Sequence, residues 1–339
     1  MNKLLKPVPA PLLSLVVPVY NERAMLPVFL DTVLPLLSGL NLNSELVFVD
    51  DGSKDGSADY IVEAIRKHPS IRLVKLSRNF GKEAALTAGL QQARGDAVIV
   101  MDADLQDPPE CMVEMVACWR SGVDVVLMQR RSRRDDSWVR RLGAHLFYRL
   151  LSNASRTDIP VDTGDFRLMS RKAVDALLTL KETNRYMKGL FAWVGMTTKV
   201  ITYDRAPRAA GETKWDFPAL AGLAIEGITS FSISPLRWAA FAGLLAATAG
   251  AIFGAWIVTK ALILGDVTSG YPSLVAIITF LGGIQLLSIG IVGEYVGKTY
   301  METKQRPVYV IDSVSENKSS LAIHRPTLEK ELYPHVKAN

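Results

Sequence analysis

Two long uncharged segments in the C-terminal half constrain the fold of this chain more than any other feature. They comprise residues 238–259 and 271–293, which are 22 and 23 residues without a charged side chain. About 20 such residues are enough for a helix to cross the ~30 Å hydrocarbon core of a bilayer. We therefore predict two transmembrane helices, at about 237–262 and 271–295. The alternative is a pair of buried helices in a soluble core.

The charges that flank these segments predict their orientation. Arg237 precedes the first segment, Lys298 and Lys304 follow the second, and Asp266 is the only charged residue from 261 to 270. Lys and Arg are enriched in cytoplasmic loops, so both ends should lie in the cytoplasm. We expect a multi-pass protein of the inner, cytoplasmic membrane, with its soluble part in the cytoplasm.

Before these segments, short aliphatic runs alternate with segments of helical length. The predicted strands are residues 12–19, 45–50, 71–76, 96–101 and 123–128. The predicted helices between them are residues 23–38, 56–67, 82–93 and 109–121. Regular alternation of this kind predicts a parallel α/β sheet. Ligands bind such sheets beyond the carboxyl ends of the strands, so the residues after each run are candidates for a binding site.

Acidic residues follow three of the predicted strands, in the segments 20–22, 50–53 and 102–106. Carboxylates at one edge of a sheet repel one another unless a cation or hydrogen-bond donors lie among them. Asp102 and Asp104 are two residues apart, and a bend would direct both toward one ion, with Gln106 as a further oxygen ligand. Mg²⁺ and Mn²⁺ prefer such ligands together with substrate phosphates. The pattern therefore indicates a metal-nucleotide site.

Several classes of function lack support in the sequence. There is no Cys/His cluster with zinc spacing, no Walker loop and no Gly-x-Gly-x-x-Gly element, which argues against kinases and dehydrogenases. Cys111 and Cys118 are too far apart on a helix for a disulfide, as expected in a reducing compartment. The Arg cluster at 130–141 contains a single aromatic residue, Trp138, and adjoins the apolar-basic segment 142–151, which we expect to form an interfacial amphipathic helix. We therefore expect membrane lipid as a partner and no nucleic acid.

Six motifs are similar to those of a known enzyme family. They are VPVYNE at 17–22, VDDGS at 49–53, SRNFGKE at 77–83, DADLQ at 102–106, TGDFRL at 163–168 and RAAGETKW at 208–215. Over about residues 12–310 the chain resembles the family 2 glycosyltransferases of the GT-A fold. Within that family it is most similar to the polyprenyl-phosphate glycosyltransferases, which include dolichol-phosphate mannosyltransferases and bactoprenol glucosyltransferases.

The resemblance implies roles for individual residues. Those expected to contact a nucleotide-sugar donor are Pro18, Tyr20, Glu22, Val49, Asp51, Lys82, Asp102 and Ala103. The expected ligands of Mg²⁺ or Mn²⁺ are Asp102, Asp104 and Gln106, and the expected catalytic residues are Asp165 and Asp104. The cations expected to bind phosphates of donor or acceptor are Arg130, Arg133, Arg208 and Lys214. The last two flank a glycine in a polar stretch that suits a flexible lid, although a solvated loop has the same composition.

We expect four parts along the chain. Residues 1–210 would form a cytoplasmic, Rossmann-like GT-A domain, and residues 211–236 an interfacial segment. Residues 237–297 would form a hairpin of two transmembrane helices, and residues 298–339 a cytoplasmic tail. In the tail, the apolar run 308–310 predicts a strand that pairs with a neighbouring protomer in a homo-oligomer.

The resemblance implies the transfer of a single sugar from a nucleotide-sugar to a polyprenyl phosphate such as undecaprenyl phosphate. The reaction would be metal-dependent and inverting, and UDP-glucose is favoured as the donor by the resemblance alone. A phosphate monoester is mostly ionised at neutral pH because its second pKa is ~6. Asp165 would therefore either deprotonate the acceptor or only orient it.

Two other classes of function remain open. A processive family 2 polysaccharide synthase would share the early motifs, but usually has more spans and a Gln-x-x-Arg-Trp element. Residues 234–238 have Ser where that element has Gln. A non-enzymatic lipid-binding membrane protein would leave the acids at the strand ends unexplained.

Overall fold

The computed structural model describes residues 11–131, 163–183, 185, 187–204, 229, 233–264 and 270–317. These residues fall into two compact units. Those up to 204 form the first unit together with residues 307–317, and residues 229–306 belong to the second. The interfacial segments predicted at 142–151 and 211–236 lie largely outside the described residues.

Among the described residues, the first unit is built on a sheet of eight strands numbered in chain order, of which the last three are β6 (Thr163–Ser170), β7 (Thr198–Tyr203) and β8 (Ile311–Glu316). Their order in the sheet is β7-β5-β6-β4-β1-β2-β3-β8. Its N-terminal half alternates strand and helix as predicted, and β1 to β4 are parallel where they pair. The elements are β1 (Leu12–Val19), α1 (Leu26–Gly39), β2 (Asn43–Asp50), α2 (Ser57–Lys67), β3 (Ile71–Leu76), α3 (Lys82–Gln92), β4 (Ala97–Val100), α4 (Cys111–Arg120) and β5 (Val125–Arg130).

Burial explains why these strands form. Leu13, Leu15 and Val17 point to one face of β1, Val16 to the other, and all four are completely buried. A strand apolar on both faces is typical of a parallel sheet covered by helices on both sides. Phe29 of α1 meets Phe48 of β2 edge to face, with ring centroids 5.9 Å apart.

The predicted parallel sheet also contains two antiparallel strands, so the sheet is mixed. Strand β6 (Thr163–Ser170) lies between β4 and β5 and is antiparallel to both. The chain continues through α5 (Arg171–Leu178) and α6 (Met187–Trp193) to β7 (Thr198–Tyr203), which is parallel to β5. Because β6 runs against its neighbours, its first residues reach the edge where the parallel strands end.

The second antiparallel strand follows the apolar segments. Strand β8 (Ile311–Glu316) pairs with β3 at one edge of the sheet. The strand predicted at 308–310 therefore begins three residues later, and it pairs with β3 of its own chain. Part of the predicted tail thus belongs to the sheet.

Charged side chains fix β8 in place at the amino ends of the parallel strands. Glu316 contacts Arg72 at 2.8 Å and Arg94 at 3.1 Å, and Arg72 also contacts Glu45 at 3.2 Å. Glu45 in turn accepts hydrogen bonds from the Ser14 hydroxyl at 2.5 Å and the Arg94 backbone N–H at 2.6 Å. We call Glu45, Arg72, Arg94 and Glu316 the amino-edge cluster.

The second unit consists mainly of two long helices that pack against each other, α7 (Ser234–Leu264) and α8 (Tyr271–Thr303). They contain 31 and 33 residues, so each exceeds its predicted span. By length and composition both could cross a membrane. Large apolar side chains are exposed along them, such as Leu262 at 82% and Leu286 at 72%.

Candidate active site

A cleft of about 340 Å³ opens at the carboxyl edge of the sheet. Its volume is within the usual range of small-molecule sites. It is lined by the end of β1, the segments that follow β1, β2, β3 and β4, and the start of α3: Pro18, Val19, Tyr20, Glu22, Asp51, Asn79, Gly81, Lys82, Ala85, Asp102, Ala103 and Asp104. Four of the six motifs therefore meet in one place, VPVYNE, VDDGS, SRNFGKE and DADLQ. A second cleft, between α1 and α2, contains none of the predicted site residues.

Asp51 organises the wall of the cleft. Its two carboxylate oxygens accept hydrogen bonds from the backbone N–H groups of Phe80 at 2.7 Å and Gly81 at 2.9 Å. Burial raises the pKa of Asp51, and these two bonds oppose the rise. Gly52 allows the close approach, because a Cβ there would lie 2.7 Å from the Arg78 carbonyl carbon and its φ is +73°. The buried acid thereby joins the VDDGS and SRNFGKE motifs.

The predicted bend after β4 is present. The chain turns at Ala103 and Asp104, and Leu105 adopts a left-handed φ of 52°. The backbone N–H of Gln106 donates to Asp104 Oδ1 at 3.1 Å, which holds the turn. Asp102 and Asp104 both line the cleft, whereas Gln106 is buried and does not. Within the described ranges, no group of three or more His, Cys, Asp or Glu side chains could hold a metal ion.

Lys82 lies between Asp102 and Asp165. Its ammonium is 2.7 Å from Oδ1 and 2.8 Å from Oδ2 of Asp102, and 2.8 Å from Oδ2 of Asp165. The last pair in the antiparallel β4–β6 register is Val100 with Arg167. Asp102 comes two residues after Val100 and Asp165 two residues before Arg167, so the two acids lie at the same end of these strands. Burial lowers the pKa of Lys82, but the charges of the two carboxylates outweigh it and raise the pKa well above the ordinary value. We call these three residues the carboxyl-edge cluster.

Arg167 holds the backbone that carries Asp165. It is 2% exposed and donates to the Gly164 carbonyl at 2.6 Å and the Asp165 carbonyl at 3.3 Å. Its guanidinium stacks on the Phe191 ring, 3.7 Å from the centroid. Burial lowers the pKa of Arg167 to about 10, against the opposing charges of Asp165 and Glu83. Arg167 belongs to the TGDFRL motif, but the motif alone predicted no role for it.

Arg130 belongs to a second polar group beside the cleft. Tyr203, which is opposite Arg130 in the β5–β7 register, donates its hydroxyl to a short hydrogen bond with Asp107. Burial and Asp107 raise the pKa of Tyr203. Burial lowers the pKa of Arg130, but its hydrogen bond with Tyr203 and the charges of Asp107 and Asp102 raise it overall. Sequence reasoning missed Tyr203 and Asp107.

The predicted site residues thus fall into three groups. Those brought together at the cleft are Pro18, Tyr20, Glu22, Asp51, Lys82, Asp102, Ala103 and Asp104, with Asp165 in contact through Lys82. Val49, Gln106 and Arg130 do not line the cleft, and Val49 is completely buried in β2. Arg133, Arg208 and Lys214 lie outside the described residues. The cleft residues that were not predicted are Val19, Asn79, Gly81 and Ala85.

Comparison with known proteins identifies the family. The profile of glycosyl transferase family 2 matches residues 14–178. A prophage bactoprenol glucosyl transferase homolog of Escherichia coli K12 is 45% identical over 304 residues, which cover 90% of this chain and 99% of the relative. The bactoprenol glucosyl transferase of Shigella phage SfV is 45% identical over 88% of this chain and 97% of its own length.

Among solved structures, glucosyl-3-phosphoglycerate synthase from Mycobacterium tuberculosis matches 65% of this chain and 78% of its own, with 22% identity and a TM-score of 0.45. The relatives, unlike this neighbour, extend along nearly the whole chain, including both apolar helices. Their identity is far above what a shared fold alone requires. This chain belongs to the family 2 glycosyl transferases.

Proposed function

We propose that this glycosyltransferase transfers one glucosyl group from UDP-glucose to a polyprenyl phosphate, in a metal-dependent reaction that inverts the anomeric carbon. The observation that carries the proposal is the carboxyl-edge cluster, in which Asp102, Lys82 and Asp165 meet beside the cleft. The acceptor and the sugar are supported by relatives at 45% identity that are named for bactoprenol glucosylation.

The donor would bind with its nucleoside against the residues after β1 and β2. Pro18, Tyr20, Glu22 and Asp51 line that side of the cleft. Tyr20 is 48% exposed, so its ring is available to contact a nucleoside. Asp51 would act mainly by holding the 80–81 backbone, since both its oxygens already accept backbone hydrogen bonds. Val49, buried in β2, would support the floor beneath these residues.

A divalent cation fits the donor set at the other side of the cleft. Asp102 and Asp104 offer hard carboxylate oxygens, and a compact cation, the Lys82 ammonium, already lies against Asp102. Mg²⁺ is usually held by one or two carboxylates together with substrate phosphates, so two acids suffice here. Mg²⁺ or Mn²⁺ held by Asp102 and Asp104, with Gln106 behind the turn, would neutralise the charge that develops on the leaving diphosphate.

The acceptor supplies its own nucleophile. One oxygen of the lipid phosphate forms the new bond to the anomeric carbon, while the bond from that carbon to the diphosphate oxygen breaks and UDP leaves. The phosphate is mostly ionised at neutral pH, so no proton has to be removed for the attack. Oδ2 of Asp165 is already engaged by the Lys82 ammonium, at 2.8 Å. We therefore assign Asp165 to orienting rather than deprotonating the acceptor.

Basic residues would bind the acceptor phosphate and the departing diphosphate. Among the described residues the candidate is Arg130, whose charge interacts with Asp102 of the carboxyl-edge cluster. Arg133, Arg208 and Lys214 complete the proposed set. We further propose that the interfacial segments and the two apolar helices hold the enzyme at the cytoplasmic face of the inner membrane, where the lipid phosphate is reached.

The direct test is an assay that requires no choice of sugar beforehand. Purified full-length protein in detergent is incubated with undecaprenyl phosphate, a panel of radiolabelled nucleotide-sugars, and Mg²⁺, Mn²⁺ or EDTA. We expect label in the lipid phase from UDP-glucose, none with EDTA, and none with Asp104→Ala. The matched control is Asp31→Ala, an acid on α1 away from the cleft. Polymeric product instead of lipid-linked monosaccharide would support a polysaccharide synthase, and transfer from no donor would contradict the proposal.

A further inference from the structure

Lys82 occupies the coordination sites of the carboxylate assigned to the metal. Both oxygens of Asp102 contact its ammonium, at 2.7 and 2.8 Å. A Mg²⁺ ion would have to approach one of these oxygens to ~2.0–2.1 Å. The two cations would then lie side by side on one carboxylate, where their repulsion is strong. Lys82 and a divalent cation therefore compete for Asp102.

The position of Lys82 in its helix indicates a role beyond stability. Lys82 is the first residue of α3, and a positive charge at a helix N-terminus is disfavoured by the helix dipole. The side chain is nevertheless ordered by Asp102 and Asp165, which face each other across the ends of β4 and β6. It remains 43% exposed, against 30% for Asp102 and 14% for Asp165, so it has room to move away from them.

The cleft favours a divalent cation that arrives with the donor. The described residues offer such an ion the carboxylates of Asp102 and Asp104, but no group of three acidic, His or Cys ligands. A nucleoside diphosphate brings further oxygens and negative charge, which both complete the coordination of the ion and attract the ammonium away from Asp102.

We infer that Lys82 is a displaceable internal cation that keeps divalent metal out of the cleft until the nucleotide-sugar binds. The inference rests on the proposed metal-dependent function and adds the order in which the donor and the metal ion bind. Before donor binding, Lys82 contacts both Asp102 and Asp165 and offsets part of their negative charge. Donor binding transfers Lys82 from Asp102 to the donor phosphates, with Asp165 still within its reach. Lys82 is thus a positioning residue that couples donor binding to metal binding.

The test measures metal binding rather than activity. Mn²⁺ is titrated into purified full-length protein in detergent, with and without UDP, and free Mn²⁺ is measured by electron paramagnetic resonance. We expect Lys82→Met to bind Mn²⁺ without UDP roughly tenfold more tightly than the unaltered protein, within the usual range of coupling between two ligands. By the same linkage, UDP should tighten Mn²⁺ binding less in Lys82→Met than in the unaltered protein.

Two variants control for charge and folding. Lys75→Met removes a lysine of the same 43% exposure that pairs with Asp312 at 3.8 Å on the edge strand, and it should bind Mn²⁺ like the unaltered protein. Lys82→Arg keeps the positive charge and should bind Mn²⁺ weakly without UDP. The thermal unfolding midpoint of each variant establishes that the protein titrated is folded.

Three results would overturn the inference. If the unaltered protein binds Mn²⁺ without UDP as tightly as Lys82→Met does, Lys82 does not exclude the ion, although the metal requirement stands. If Lys82→Arg behaves as Lys82→Met does, charge is not the cause. If neither the unaltered protein nor Lys82→Met binds Mn²⁺ even with UDP, the proposed metal requirement fails and the inference fails with it.

Discussion

Two clusters of charged side chains lie at opposite ends of the parallel strands of the sheet, and they differ in composition and burial. The amino-edge cluster has two acids and two arginines, with side-chain exposures of 8%, 4%, 10% and 20% for Glu45, Arg72, Arg94 and Glu316. The carboxyl-edge cluster has two acids and one lysine, with exposures from 14% to 43%. The first balances its charges within the protein, whereas the second has an excess of negative charge facing a cleft.

This difference distinguishes ion pairs that stabilise the fold from ion pairs that take part in function. Removing one partner of a buried pair leaves an uncompensated charge and costs about 3–5 kcal/mol. An open pair contributes little to stability, so its members are free to exchange partners. We therefore expect changes at the amino edge to affect folding and changes at the carboxyl edge to affect catalysis.

The largest effect on catalysis should come from Asp102. Asp102→Asn removes a charge from the metal site and should lower the rate of transfer roughly a thousandfold, with little change in the unfolding midpoint. The measurement pairs the transfer assay with thermal unfolding. Asp31→Asn, at an acid on α1 outside the cleft, is the control. A large drop in the thermal unfolding midpoint of Asp102→Asn would contradict the proposed difference in role between the amino-edge and carboxyl-edge clusters.

The opposite behaviour is expected at Arg72. Arg72→Met leaves Glu45 and Glu316 buried without their shared cation, and should destabilise the first unit by about 3 kcal/mol. The rate per folded molecule should stay unchanged. Chemical denaturation measures the first quantity, and the transfer assay at a temperature below the transition measures the second. Arg66→Met, at an exposed arginine of α2, is the matched control. Equal stability of the two variants would contradict the structural role of the amino edge.

Asp165 should show an intermediate effect that distinguishes orientation from proton transfer. Asp165→Asn keeps the shape of the side chain but loses its contact with the Lys82 charge, and should lower the rate roughly a hundredfold. If Asp165 only orients the acceptor, the residual rate should rise little between pH 7 and higher values. Complete loss of transfer at every pH would instead indicate an indispensable carboxylate.

The smallest effect is expected beside the cleft, at Tyr203. Tyr203→Phe removes the hydroxyl that joins Asp107 to Arg130, and should reduce kcat/KM for the lipid roughly tenfold. We expect the KM for the nucleotide-sugar to change less, which would assign Arg130 to the acceptor phosphate. Tyr60→Phe, on α2, controls for the loss of a hydroxyl. A selective rise in the donor KM would assign Arg130 to the donor instead.

The half of the sheet that contains the VPVYNE, VDDGS and DADLQ motifs was predictable from the sequence. The strands β1 and β3 have the predicted bounds, and the acids after β1, β2 and β4 meet at one edge. These features follow from the local sequence pattern. A strand that is buried on both faces appears in the sequence as an aliphatic run, and ligands bind at the carboxyl end of such a strand. The α/β GT-A fold class is confirmed, and so is the assignment to the glycosyltransferases.

The other half was not predictable by the same means. Strand β6 follows a long connection, and no local signal shows that it enters the sheet antiparallel between β4 and β5. Its direction is what brings Asp165 to Lys82, and the buried Arg167 supports it through backbone carbonyls. Contacts between residues far apart in the chain, such as those of Glu316 with Arg72, likewise have no signature in a single sequence.

The most direct test of the account is the yield of lipid-linked sugar from UDP-glucose and undecaprenyl phosphate, compared between the unaltered protein, Asp102→Asn and Arg72→Met at equal concentrations of folded protein. The account predicts metal-dependent lipid product from the unaltered protein, the same yield from Arg72→Met, and less than about one hundredth of it from Asp102→Asn. Undiminished product from Asp102→Asn, or no lipid-linked product from the folded unaltered protein, would contradict it.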